Sequence, residues 1–103
     1  MNTPRRLEPD TRRAAILTAA VDLAAAKGYL TLTRDDVAHA AGVSAGLVTR
    51  YFFAMPELRL RLMEEAVRRE LLPVIAQGLA YGCPTACAAP VWLRAKALST
   101  LAG

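Results

Sequence analysis

Apolar residues recur along this chain at helical rather than strand spacing, and each run is bracketed by cap or turn residues. Ile16, Ala20, Leu23 and Ala24, with Ala19 beside them, mark one side of a first helix. It starts after Asp10, a good N-cap, and runs to Lys27. Gly28 closes it, and Lys27 sits where the helix dipole favours a cation. Thr33 opens a second helix, with Asp36 at capping-box spacing and Val37, Ala38 and Ala41 facing inward. Ser44 caps a short third helix, whose apolar or aromatic positions are Leu47, Val48, Tyr51 and Phe52. Pro56 suits the first turn of a long fourth helix, where its missing N–H is no loss. Leu58, Leu62, Glu65 or Ala66, and Arg69 trace one side of it, with Leu72 near its end. Pro73 marks a kink or a restart, and Val74, Ile75 and Leu79 continue the apolar face. Tyr81-Gly82-Cys83-Pro84 reads as a turn. A last short helix from Pro90 to about Leu101 sets Val91, Leu93 or Arg94, Ala97, Leu98 and Leu101 around it. The expected fold is all-α: a three-helix head, a long fourth helix and a short helical C-terminal region.

The run from Thr33 to Phe52 carries the sharpest signal. Ala38, three residues, Gly42, five residues and Val48 is helix-turn-helix spacing, and each member has a steric reason. Ala38 is small because the second helix of the pair crosses it. Gly42 ends the first helix in a left-handed conformation that costs a residue without Cβ almost nothing. Val43 and Val48 pin the two helices together. In this geometry the start of the third helix meets base edges while flanking elements grip phosphates. Ser44, Ala45, Gly46 and Leu47 then lie nearest the groove floor, with Ala45 and Leu47 limited to apolar contacts and Gly46 permitting close backbone approach. Arg50 is the side chain here able to bond guanine bidentately. Thr33, Thr49 and Tyr51 offer hydroxyls to phosphates, and the backbone N–H groups at the start of the second helix add another donor site. Arg12 and Arg13, with Arg5 and Arg6 on a flexible basic arm spanning 1–9, are possible phosphate contacts. So few polar readers imply modest specificity from one head, which a dimer on half-sites about 34 Å apart would multiply.

Composition narrows the alternatives. At 103 residues there is room for one small domain, with a head at 10–54 and connecting or dimerisation helices at 55–103. The hydrophobic content of 54% is inflated by alanine, and 6% aromatics imply a thin core that favours a second copy. A formal charge of +4 permits a polyanionic partner. The first thirty residues lack an apolar signal region, and two cysteines fit a reducing cytoplasm. Leu71 to Leu93 is free of charge, but Pro73, Gly78, Gly82, Pro84 and Pro90 make it a packed helical hairpin rather than a membrane span. His39 reads as a surface or partly buried side chain, and Cys83 and Cys87 as free thiols, though a redox pair is a further reading. Arg68, Arg69, Glu64, Glu65 and Glu70 read as a salt-bridged solvent face. No nucleophile–base pair, phosphate-cradling loop, cofactor site or metal set is visible, so catalysis has no support.

Residues Arg13 to about Leu62 resemble the N-terminal DNA-binding domain of the TetR/AcrR family of bacterial transcriptional regulators. The resemblance rests on Ile16-Leu17, Ala19-Ala20, Leu23, Lys27-Gly28-Tyr29, Thr31 to Thr33, Val37-Ala38, Ala41-Gly42-Val43-Ser44, Gly46, Phe52 and Leu58. It implies a double-stranded DNA partner and a homodimeric repressor. Two phosphate-touching positions depart from the pattern: Thr49 stands where tyrosine is usual, and Met55 where lysine is usual. The residues after Leu72 are too few for the family's ligand-binding domain, so inducer control is not implied. A competing expectation is a short interaction module that heterodimerises with a full-length relative, or a truncated remnant.

Overall fold

The computed structural model describes residues 9–102, and the arm with Arg5 and Arg6 lies outside them. Among the described residues there are seven helices and no strand, as the apolar spacing predicts. They are α1 (Pro9–Lys27), α2 (Arg34–Ala41), α3 (Ala45–Tyr51), α4 (Met55–Arg68), α5 (Leu72–Tyr81), α6 (Pro84–Cys87) and α7 (Val91–Ala102). α1 packs against both α2 and α4, α2 carries α3, and α5 lies against α7 with the short α6 at the bend. One continuous core joins them. Ile16, Ala20, Val21 and Ala24 from α1 meet Val37, Val48 and Phe52 from the head and Leu58, Leu62, Met63 and Ala66 from α4.

The fourth helix is shorter than its apolar pattern suggests, ending at Arg68 rather than near Leu72. Pro73 is the reason. A helix continued through it would lose one backbone hydrogen bond and drive the ring into the carbonyl of Arg69. The chain turns at Glu70 instead, which takes a left-handed φ of 55°. Glu70 N–H donates to Val67 O at 3.1 Å and Leu71 N–H to Ala66 O at 2.9 Å, a Schellman closure built without glycine. Arg69 is exposed, and Met63 occupies the core in its place.

Gln77 ties the C-terminal helices to the head. Its Oε1 accepts the Tyr29 N–H at 2.7 Å, and its Nε2 donates to Ala24 O at 3.3 Å. Gly78, one residue on, is needed for space. A Cβ there would stand 2.6 Å from Met63 Cε and 2.8 Å from Ala86 Cβ, so α5 approaches α4 and α6 only because that side chain is absent. In α7, Leu93 and Ala97 are buried one turn apart, whereas Val91 and Leu98, expected around the same helix, are exposed with Trp92. The apolar residues of α7 cover more than the one face that α5 can bury. No described helix is long and apolar enough to cross a membrane.

Two substitutions test these close approaches in opposite directions. Glu70→Gly removes a left-handed non-glycine residue and should raise stability by about 0.5–1 kcal/mol. Gly78→Val should lower it by about 1–3 kcal/mol through overpacking. Urea denaturation reads both, and equal midpoints for the three proteins would contradict the geometry.

Candidate nucleic-acid interface

The helix-turn-helix is assembled from local chemistry at three caps. At the start of α2, the Thr33 hydroxyl accepts the Asp36 N–H at 3.1 Å, and the Asp36 carboxylate accepts the Thr33 N–H at 2.9 Å. This is the reciprocal capping box. Lys27, at the end of α1, closes on the same carboxylate at 2.7 Å and locks α1 to α2. At the end of α2, Gly42 adopts φ 72°, Gly42 N–H donates to His39 O, and Val43 N–H donates to Ala38 O at 2.9 Å. Nothing lies within 4 Å of a Cβ at Gly42, so the demand for glycine there is conformational rather than steric. Ser44 Oγ then accepts the Leu47 N–H at 3.1 Å and starts α3.

α3 has seven residues, too few to hold helical form alone. Val48 and Phe52, both buried, fix it to the core, each contributing about 1.5–3 kcal/mol by burial. Ala45, Leu47 and Tyr51 are half-buried and packed against the same core. The outward side is left to Ser44, Gly46 and Arg50, all exposed, while Thr49 is half-buried. Leu47 and Tyr51 are therefore partly spent on packing.

Several side chains have duties that the sequence pattern does not reveal. The Thr49 hydroxyl donates to Ala45 O at 3.2 Å, so its proton is turned into its own helix. The Arg13 guanidinium stacks on the Phe52 ring, 4.7 Å from its centroid, an interaction of about 0.5–2 kcal/mol. Arg12 is half-buried. The first turn of α2 contains Asp35 and Asp36, whose charge opposes a phosphate at that N-terminus. Two residues outside the sequence-based set stand out. Arg34, beside the Thr33 cap, has a buried Nε without a partner among the described residues. Phe53, between α3 and α4, is 79% exposed. Phe52, one turn after the buried Val48, takes the inward place that helical spacing gives it, and Phe53 turns outward.

Gly46 is the most informative position. It lies within a helix at ordinary φ, and an added Cβ would meet only Ser44 Oγ, at 3.9 Å. Glycine is a poorer helix former than alanine, and no neighbouring protein atom demands it at this second position of α3. Among the described residues no group of three potential metal ligands occurs, and both cysteines are free thiols.

The Asp36 carboxyl is held below the usual carboxylate range, first by the hydrogen bond from Lys27 and then by the Thr33 N–H. A depressed folded pKa gives stability that is present above the unfolded value and lost as pH falls through the folded one. Glu65, lowered by Arg68, titrates in the same direction. Stability should thus fall on acidification below about pH 4. Asp36→Asn should be less stable at pH 6 and lose less between pH 6 and pH 2.5. Identical acid sensitivity of the two proteins in urea melts would remove Asp36 from the account.

Residues 16–62 match the family model described as bacterial regulatory proteins, tetR family. No curated protein and no solved structure matches the chain. The matched span runs from Ile16 in α1 through α2 and α3 to Leu62 in α4, which is the capped and glycine-turned unit described above. Over that span the chain carries a helix-turn-helix domain of the tetR type, the domain of DNA-binding regulators of transcription.

Proposed function

We propose that this protein is a sequence-specific repressor that binds its operator as a homodimer, with the outward side of α3 against the bases. Gly46 carries this reading. A helical glycine that no internal contact requires is explained by a surface that must come close from outside, and the major-groove edge of a duplex is such a surface. Arg50 supplies the bidentate guanine contact, Ser44 and Ala45 the flanking short contacts, and Leu47 an apolar edge for a thymine methyl. Tyr51, Arg12 and Arg13 are assigned to phosphates together with Arg5 and Arg6, while Thr33 is engaged in the α2 cap and the Thr49 hydroxyl in its own helix. Homodimerisation is supported by α7, which leaves Val91, Trp92 and Leu98 exposed. The same apolar side also suits a heterodimer with a longer relative. Light scattering decides between assembly and neither: a well-folded monomer at micromolar concentration counts against both dimers.

Fluorescence anisotropy with the DNA upstream of the protein's own gene tests the DNA reading. Binding should weaken steeply with salt, as counterion release requires. Arg50→Ala should cost about 1–3 kcal/mol in affinity and relax specificity at one base pair. Gly46→Leu is the sharper variant. It should keep or slightly raise thermal stability, because the site is open and leucine is the better helix former, yet reduce DNA affinity at least tenfold. Retained affinity in a folded Gly46→Leu protein would place the groove contact elsewhere, and no salt-dependent binding by the parent protein would end the repressor reading.

A further inference from the structure

A cleft of about 440 Å³ lies where three parts of the chain meet: the α1–α2 loop, the first turns of α4 and the α5–α6 turn. Its volume is within the range of small-molecule sites. Leu30, Leu60 and Tyr81 are far apart in sequence and exposed, yet all three converge on this concavity. Tyr81 is 67% exposed and stands edge-on to the buried Tyr29, with ring centroids 6.4 Å apart and planes at 89°. Pro56 and Pro84 add rigid apolar surface.

Among the described residues Arg59 is the only charged one lining the cleft, and no carboxylate lines it. Its Nε is shut off from solvent and has no hydrogen-bond partner among the described residues. Arg34 and Arg94 have the same deficit, but neither lines this cleft. An arginine presents a planar fork of donors matched to a carboxylate, and the Arg59 guanidinium has no ion-pair partner among the described residues. Beside it the Tyr29 phenol is pushed up to about 12, by burial first and the Cys83 thiol second. A lone guanidinium in an otherwise aromatic and aliphatic wall suits one negative charge on a flat apolar body. Inorganic phosphate, which needs several donors and offers no apolar surface, fits it poorly.

We propose that this cleft binds a small planar aromatic carboxylate, with Arg59 taking the carboxylate and Tyr29 and Tyr81 the ring. The proposal does not depend on the DNA reading, since its site, ligand and test involve no nucleic acid.

Titration of the ¹⁵N-labelled full chain with 2-naphthoate, followed by amide chemical shifts, tests it. Saturable shifts are expected at residues 29–31, 57–60 and 81–83, with binding in the micromolar to low-millimolar range. Arg59→Gln should weaken binding about tenfold or more, and Tyr81→Ala, an exposed position that leaves the core intact, about fivefold. The neutral 2-naphthamide should bind the parent protein no better than 2-naphthoate binds Arg59→Gln, and acetate should leave the amides in place. The proposal is overturned by no saturable shift at 5 mM 2-naphthoate, by shifts that map elsewhere, or by acetate or the amide matching 2-naphthoate. Should Arg59→Gln fail to fold, unchanged affinity in Tyr81→Ala overturns it equally.

Discussion

The left-handed turn at Gly42 sets the placement of α3, the helix proposed to meet the bases. Through that residue the end of α2 is closed on itself, with Val43 N–H on Ala38 O, and the chain is redirected into the Ser44 cap of α3. α3 is too short to be helical unless Val48 and Phe52 are buried, and they reach the core only if the turn points them there. The outward exposure of Gly46 and Arg50 is then the geometrical complement of that burial. The proposed recognition surface is thus defined by what the opposite side of a two-turn helix must hide.

The head does not stand apart from the C-terminal helices. Gln77 satisfies backbone groups at both sides of the Gly28 bend, and the absence of a side chain at Gly78 lets α5 settle against α4 and α6. α4 belongs to both halves, with Leu58 and Leu62 under the head and Met63 against Gly78. The proposed ligand cleft opens at this same junction, so its walls come from both halves. Occupancy there would tie Tyr29 and Leu30 of the head more firmly to Tyr81 and Pro84.

The parts of this architecture legible in the sequence are those dictated by short-range chemistry. Thr33 with Asp36, Ser44 before α3, and Gly42 at its fixed distance from Ala38 and Val48 each announce a cap or turn, because the atoms that bond are within five residues of one another. The break after α4 was only half legible. Pro73 signals it, but the turn falls on Glu70, a residue type that rarely takes a left-handed φ, so nothing at the position itself marks it. Contacts across the fold left no local mark at all. The stacking of Arg13 on Phe52 and the Met63–Gly78 approach depend on which helices cross, which spacing along one helix does not encode. Thr49 shows a further limit. A helical threonine can offer its proton outward or return it to the preceding turn, and the residue type is the same in both cases.

The claim that α3 is the probe of DNA is tested most directly by following amide shifts of the ¹⁵N-labelled protein as a pool of 20-base-pair random duplexes is added at low ionic strength. The account predicts that the largest changes cluster at residues 44–50, shrink together as salt is raised, and leave the α5–α7 amides in place. Changes confined to α5–α7, with the amides of Ser44, Gly46 and Arg50 unmoved, would contradict it.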